Sequence, residues 1–125
     1  MRPMAIAAID FELLANAGFP TATFKPGETI FGAGEKGDNM YVIRSGEVEI
    51  ERDGKVVEQL GPGGIFGEMA LIDGAPRAAT ATTKTACEVA PITEKAFLFL
   101  VHETPYFAIS VMRALADRLR CATPS

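Results

Sequence analysis

A strict alternation of apolar and polar residues in the middle of the chain places the strongest constraint on its fold. In residues 47–51 the three glutamates fall on one face of an extended chain, and the valine and isoleucine between them fall on the other. Asp53 and Gly54 follow, a pair that is typical of the two-residue turn of a β-hairpin. Residues 55–57 return the chain, so this region predicts an antiparallel hairpin with one half-buried face.

Short runs of the same kind, separated by glycine and proline, extend over about residues 21–92. Many short strands at regular spacing indicate a β-sandwich or a β-roll. Helices are expected on both sides of this region. One is predicted at residues 10–17, one at residues 94–103 with Thr93 as its N-cap, and one at residues 105–121.

The last predicted helix is amphipathic, with an apolar and a polar face. The apolar face is predicted to carry Ala108, Val111, Met112, Leu115 and Leu119. The opposite face is predicted to carry Ser110, Arg113, Asp117 and Arg120. The spacing of Arg113 and Asp117 also predicts an ion pair between residues i and i+4.

Composition limits the function classes that suit this chain. A length of 125 residues is enough for a hydrophobic core, and we expect residues 1–125 to form a single domain. The net charge of −4 argues against the broad basic surface that nucleic-acid binding needs. There is no apolar run long enough to span a membrane and no signal-peptide pattern, so we expect a cytoplasmic protein whose two cysteines are reduced.

Candidates for catalysis or metal binding are few. The single histidine, His102, lies near the end of a predicted helix and cannot supply a cluster of imidazole ligands. No Ser-His or Cys-His pair is evident, so we expect neither a catalytic site nor a metal site. Gly32, Gly34 and Gly37 match the G-x-G-x-x-G pattern of dinucleotide sites, but a predicted strand follows instead of a helix. We interpret this segment as a turn.

The most informative segment is FGEMALIDGAPRAATA, residues 66–81, in which Glu68 and Arg77 are nearly the only charges. Asp73 is the exception, and we expect it in an exposed turn. A short helix is predicted directly after Gly67, and its unpaired N–H groups suit an anion. Arg77 can add a bidentate contact to a phosphate, whereas Glu68 would repel an anion and suits the hydroxyls of a ribose. From the residues alone, a sugar-phosphate site and a Glu68–Arg77 ion pair that pins the loop are about equally supported.

The same segment resembles the phosphate-binding cassette of cyclic-nucleotide-binding domains, whose pattern is roughly F-G-E-x-A-L, a short variable stretch and P-R-[AST]-A. Upstream, FKPGETIFGAGEKGDNMYVIRSGEVEI resembles the first strands of that domain, including Gly27, Gly34 and Gly46. The resemblance covers about residues 11–119 and includes catabolite-activator-like proteins and regulatory subunits of protein kinase A. It implies an α+β, mainly β fold: an eight-stranded antiparallel, jelly-roll-like β-roll with a short N-terminal helix and two C-terminal helices.

The resemblance also implies a role for each residue that matches the cassette. Arg77 would bind the cyclic phosphate, together with the backbone N–H of Ala78. Glu68 would accept a hydrogen bond from the ribose 2′-hydroxyl. Gly67 and Ala70 would contribute backbone groups beside it.

The resemblance also implies how the nucleotide base is contacted and which nucleotide the site selects. The last helix would act as a lid over the base, with Leu115, Arg118 and Leu119 as candidate contacts. Members selective for cGMP often carry a threonine directly after the cassette arginine. Ala78 has no hydroxyl, so cAMP is the expected ligand, with cGMP possible and no further cofactor.

The expected protein is a cyclic-nucleotide sensor, neither an enzyme nor a membrane protein, that signals to an unknown protein effector as a monomer or weak dimer. Because the sequence begins with methionine and ends at Ser125, a stand-alone module is the first expectation. One alternative is a fragment of a catabolite-activator-like transcription regulator that lacks its DNA-binding domain. Another is a degenerate β-roll that serves only as an interaction domain.

Overall fold

The computed structural model describes residues 19–122, with side chains as far as Arg120. Its eight strands are β1 (Ala22–Phe24), β2 (Thr29–Phe31), β3 (Met40–Ser45), β4 (Val48–Arg52), β5 (Lys55–Leu60), β6 (Ile65–Phe66), β7 (Thr80–Thr83) and β8 (Cys87–Ile92). Three helices accompany them: α1 (Glu68–Asp73), α2 (Glu94–Glu103) and α3 (Pro105–Ala122). The helix predicted at residues 10–17 lies outside the described residues.

The strands form two four-stranded sheets that confirm the predicted antiparallel β-roll. Their orders are β1-β8-β3-β6 and β2-β7-β4-β5, and every pairing is antiparallel. The predicted hairpin joins β4 to β5, and both turn residues have positive φ angles, 55° at Asp53 and 78° at Gly54. These are the angles that a tight hairpin turn requires, which explains why Asp-Gly occupies the turn.

Two groups of buried apolar residues form the core. One lies within the roll and comprises Phe31, Ile43, Val48, Phe66, Ala81, Cys87 and Val89. The other joins the β3–β8 sheet to the C-terminal helices and comprises Met40, Val42, Ile65, Ala90, Ile92, Leu100, Phe107, Val111 and Ala114. The second group therefore fixes α2 and α3 against the same sheet that leads into α1.

The C-terminal helices begin where the sequence predicts. The Thr93 hydroxyl accepts a hydrogen bond from the backbone N–H of Ala96 at 3.1 Å, which satisfies one of the unpaired donors at the start of α2. The next helix, α3, begins at Pro105. None of the helices within residues 19–122 is long and apolar enough to cross a membrane.

The predicted faces of α3 were partly wrong. The buried stripe starts at Phe107 and continues at Ser110, Val111 and Ala114, with the i, i+3, i+4, i+7 spacing of a packed helix. Ser110, predicted on the polar face, is only 3% exposed, whereas Met112 is 55% exposed. The buried face is rotated from the predicted one, and Val111 is the one fully buried residue that the two faces share.

The predicted Arg113–Asp117 ion pair is also absent from the described residues. Arg113 instead donates to the Tyr106 hydroxyl at 2.6 Å, and Asp117 pairs with Arg120 at 2.6 Å. The Asp117–Arg120 contact joins neighbouring turns of α3, and the Tyr106–Arg113 contact joins residues two turns apart. Both contacts link turns of the helix in place of the predicted pair.

Candidate functional site

Arg77 is fixed by its backbone to the loop that connects β2 and β3. Its N–H donates to the Glu35 carbonyl at 2.8 Å, and its carbonyl accepts from the Gly34 N–H at 2.7 Å. This loop contains the G-x-G-x-x-G match, and the interpretation of that match as a turn is confirmed, because strand β3 follows it. The paired backbones place the Arg77 side chain beside the start of α1.

Two glycines make room for the Arg77 guanidinium. A Cβ atom at Gly37 would lie 2.5 Å from Nη2 of Arg77, and one at Gly67 would lie 2.8 Å from Nη1. Gly67 also has a φ angle of 77°, a backbone conformation that residues other than glycine rarely adopt. Both positions therefore need glycine for the arginine to occupy this place, a role that the sequence prediction gave to neither of them.

The guanidinium is buried but poorly paired. Arg77 is 7% exposed, its Nη1 donates to the Gly67 carbonyl at 2.9 Å, and its Cζ lies 4.1 Å from the centre of the Phe31 ring. Its Nε is buried and has no hydrogen-bond partner in the part of the chain that the structure describes. Within residues 19–122 no carboxylate forms an ion pair with it. A buried donor without a partner costs about 1–3 kcal/mol, more when it is charged, so this group is suited to receive an anion.

Glu68 is the first residue of α1 and is 5% exposed. Its Oε1 accepts from Nη1 of Arg118, on α3, at 2.8 Å. The alternative in which Glu68 pairs with Arg77 is therefore not what the structure shows. The two charges of the segment are held separately, and Glu68 keeps its second carboxylate oxygen without a hydrogen bond among the described residues.

Arg118 links three parts of the molecule. Besides Glu68, it contacts Glu58 on β5, with Nε 3.1 Å from Oε1, and it donates through Nη2 to the Ile65 carbonyl on β6. Sequence reasoning singled out Arg118 as a lid residue but missed Glu58. The missing information was spatial, because 60 residues separate Glu58 from Arg118.

These side chains line a cavity of about 520 Å³. All five residues predicted for the phosphate and the ribose line it: Gly67, Glu68, Ala70, Arg77 and Ala78. Apolar side chains complete the wall, among them Phe31, Ile50, Val57, Leu60, Met69 and Ala114.

The three lid candidates are placed differently from one another. Arg118 lines the cavity. Leu115 packs against the group of buried residues that joins the β3–β8 sheet to the C-terminal helices, and Leu119, 69% exposed, lies outside the cavity wall. Asp73 is exposed as predicted, but it is the last residue of α1 rather than part of the following turn, and its side chain accepts from the Ala75 N–H at 2.9 Å. The predicted short helix after Gly67 is present as α1.

The charges give the cavity two chemically different parts. Among the described residues no carboxylate pairs with Arg77, whereas Glu68 pairs with Arg118, which it shares with Glu58. An anionic group therefore fits beside Arg77, and a neutral hydrogen-bond donor fits beside Glu68. The described residues contain no group of three or more histidine, cysteine, aspartate or glutamate side chains arranged to hold a metal ion.

Comparison with known proteins gives matches over most of the chain. The family model described as "Cyclic nucleotide-binding domain" matches residues 21–104. The CRP-like cAMP-activated global transcriptional regulator of Mycobacterium tuberculosis is 34% identical over 125 residues, which cover 96% of this chain and 53% of that protein. The chain thus spans about half the length of this relative.

Solved structures show the same fold. The catabolite activator protein of Thermus thermophilus superimposes with a TM-score of 0.77 at 32% identity, over 87% of this chain and 54% of the other. The structure described as cAMP-bound PfPKA-R (141–441) gives a TM-score of 0.72 at 29% identity, over 82% of this chain and 36% of the other.

Proposed function

The chain belongs to the cyclic nucleotide-binding domain family, and we propose that its cavity binds cyclic AMP. The observation that carries this proposal is the buried Arg77 guanidinium, which lines the cavity and has, within the described part of the chain, neither a carboxylate partner nor a partner for Nε. A phosphodiester is an anion that accepts several hydrogen bonds, so it supplies what this group lacks.

The phosphate and the ribose bind at different residues. Arg77 and the backbone N–H of Ala78 hold the cyclic phosphate. Glu68 accepts from the ribose 2′-hydroxyl through the carboxylate oxygen that Arg118 leaves unbonded, and Gly67 and Ala70 provide the backbone around it. This division is supported by the separate placement of the two charges in the cavity wall.

The apolar wall suits a purine, and Ala78 favours adenine over guanine. A threonine hydroxyl at this position would offer a hydrogen bond to the guanine amino group, and alanine offers none. The M. tuberculosis relative is described as cAMP-activated, which supports the same choice of ligand.

Regulation is proposed to act through α3. Arg118 joins this helix to Glu68. A ligand that binds Glu68 therefore makes different contacts, and has a different affinity, when α3 occupies different positions. Only such differential affinity can shift a conformational equilibrium. The module therefore acts as a non-enzymatic sensor whose altered surface is recognised by an effector.

Isothermal titration calorimetry with cAMP tests the proposal. We expect saturable binding by the wild type and at least about a 100-fold loss in R77A, because charge-assisted hydrogen bonds contribute about 1.5–3 kcal/mol each. The matched control is R44A, which removes an arginine whose side chain is 48% exposed and should bind like the wild type. No binding by the wild type at high micromolar cAMP would overturn the proposal.

The chain covers only about half the length of these relatives. This favours a second candidate function, that of a sensor unit belonging to a longer transcription regulator. Its ligand site would be the same, and only the effector would differ. The coding sequence downstream of Ser125 tests this candidate, because a continuous reading frame that encodes a helix-turn-helix is expected.

A further inference from the structure

Glu58 holds one end of the guanidinium that contacts Glu68. The Nε atom of Arg118 lies 3.1 and 3.3 Å from the two carboxylate oxygens of Glu58. Its Nη1 lies 2.8 Å from Glu68, and its Nη2 donates to the Ile65 carbonyl. Every nitrogen of the guanidinium therefore has a partner of its own.

This arrangement fixes the orientation of Arg118 as well as its position. A guanidinium is planar and rigid, so partners on all three nitrogens define both its centre and its plane. The side chain of Arg118 is long and has many rotamers, and its conformational freedom is restricted only while these contacts persist. Removing Glu58 would release the Nε end and allow the plane to rotate away from Glu68.

The orientation of Arg118 decides which oxygen of Glu68 can accept from a ligand. Arg118 occupies Oε1, and Oε2 has no hydrogen bond among the described residues. A rotated guanidinium would contact either oxygen or both. The acceptor for a ligand hydroxyl would then be less well placed.

Resting on the proposed function, we propose that Glu58 is a positioning residue for the ribose: by orienting Arg118, it keeps Oε2 of Glu68 available to the 2′-hydroxyl. Glu58 also lines the cavity, and its negative charge repels an anionic ligand. The direct effect of its charge on affinity is thus opposite in sign to its effect through Arg118. This opposition makes the proposal testable.

The experiment compares cAMP with 2′-deoxy-cAMP by calorimetry in the wild type, E58A, E58Q and E51A. The quantity of interest is the ratio of the two dissociation constants, which isolates the contribution of the 2′-hydroxyl. In the wild type we expect a ratio of about ten or more, the factor that a hydrogen bond to a charged acceptor provides. In E58A we expect the ratio to fall to about three or less, and in E58Q, which keeps an oxygen acceptor for Nε, to lie in between.

E51A is the matched control, because Glu51 lies on the neighbouring strand β4 and outside the wall of the cavity. It removes the same charge from the same hairpin and should leave the ratio at the wild-type value. If E58A does not fold, the ratio in E58Q decides, and a wild-type ratio there would contradict the proposal.

The other outcomes are distinguishable. Equal losses for both ligands in E58A would show that Glu58 only ties the hairpin to α3, and equal gains would show that only its charge matters. Either result overturns this inference and leaves the proposed function intact. A wild type that does not discriminate between the ligands would overturn the role of Glu68 and this inference together. A wild type that binds neither ligand would overturn the proposed function itself.

Discussion

Arg77 and Glu68 are both buried in the wall of one cavity, but they are held in opposite ways. Neutral groups surround Arg77: the Gly67 carbonyl accepts one hydrogen bond and the Phe31 ring lies 4.1 Å from Cζ. Glu68 is held by an opposite charge, because Arg118 lies 2.8 Å away. Among the described residues Arg77 thus has no counter-charge and is left for a ligand to neutralise, whereas Glu68 already has one, which it shares with Glu58.

This difference between the two residues decides whether each charge contributes mainly to ligand affinity or mainly to the stability of the folded chain. A buried charge without a counter-charge destabilises the folded chain and is compensated only when an anion binds. A buried charge with its partner in place contributes to stability when no ligand is bound, and breaking that pair leaves an uncompensated charge. Substitutions at the two sites should therefore change affinity in the same direction and stability in opposite directions.

Replacing Arg77 by methionine should give the largest effect. Methionine fills a similar volume without charge, so cAMP affinity should fall at least about 100-fold as charge-assisted hydrogen bonds are lost. The free energy of unfolding of the protein without ligand should rise by about 1–2 kcal/mol, because an unpaired buried donor is removed. Calorimetry and urea unfolding measure the two quantities. A loss of stability in R77M would contradict the contrast between the two charges.

Replacing Glu68 by glutamine should weaken binding less and lower stability. The amide still accepts a hydrogen bond from a hydroxyl, so we expect an affinity loss of about tenfold. Arg118 loses the negative charge of the partner that lies 2.8 Å from its Nη1, and the free energy of unfolding should fall by about 1–3 kcal/mol. The same two measurements apply. If E68Q were as stable as the wild type, the Arg118 pair would not contribute to folding.

Replacing Gly37 by alanine should weaken binding by moving Arg77. The new Cβ would lie 2.5 Å from Nη2, which forces the guanidinium to shift. A displacement of this kind should lower cAMP affinity by several-fold, to about tenfold, because bidentate contacts depend on geometry. G61A is the control, since a Cβ at Gly61 would meet nothing within 4 Å. Equal affinities for G37A and G61A would show that Arg77 tolerates displacement.

Both charges could be identified from the sequence, but the partner of Glu68 could not. Residues 66–81 contain the helix start at Gly67, the exposed Asp73 and the two buried charges of the site, so local pattern was enough to identify them. The Asp-Gly hairpin and the cap at Thr93 were predictable for the same reason, because their physical causes lie within a few residues.

Contacts between distant segments were not predictable in this way. Glu58 is one of several acidic residues on the β4–β5 hairpin, and nothing in its local pattern distinguishes it from Glu49 or Glu51. Its pairing with Arg118 depends on how α3 packs against the sheet, and the buried face of α3 was itself partly mispredicted. The partner of Glu68 could therefore be found only from the three-dimensional arrangement.

The smallest expected effect concerns selectivity at the phosphate end. Ala78 is exposed to the cavity and directly follows Arg77, so a threonine there can be added without repacking the core. In A78T the new hydroxyl can hydrogen-bond the guanine amino group, which should raise cGMP affinity by about three- to tenfold with little change for cAMP. Competition of both nucleotides for one site measures the ratio, with A78V as the isosteric control that lacks the hydroxyl. If A78V shifted the ratio as much as A78T, side-chain shape rather than hydrogen bonding would set selectivity. An unchanged ratio in both variants would place the selectivity of the cavity on its apolar wall and α3 instead of on the phosphate end.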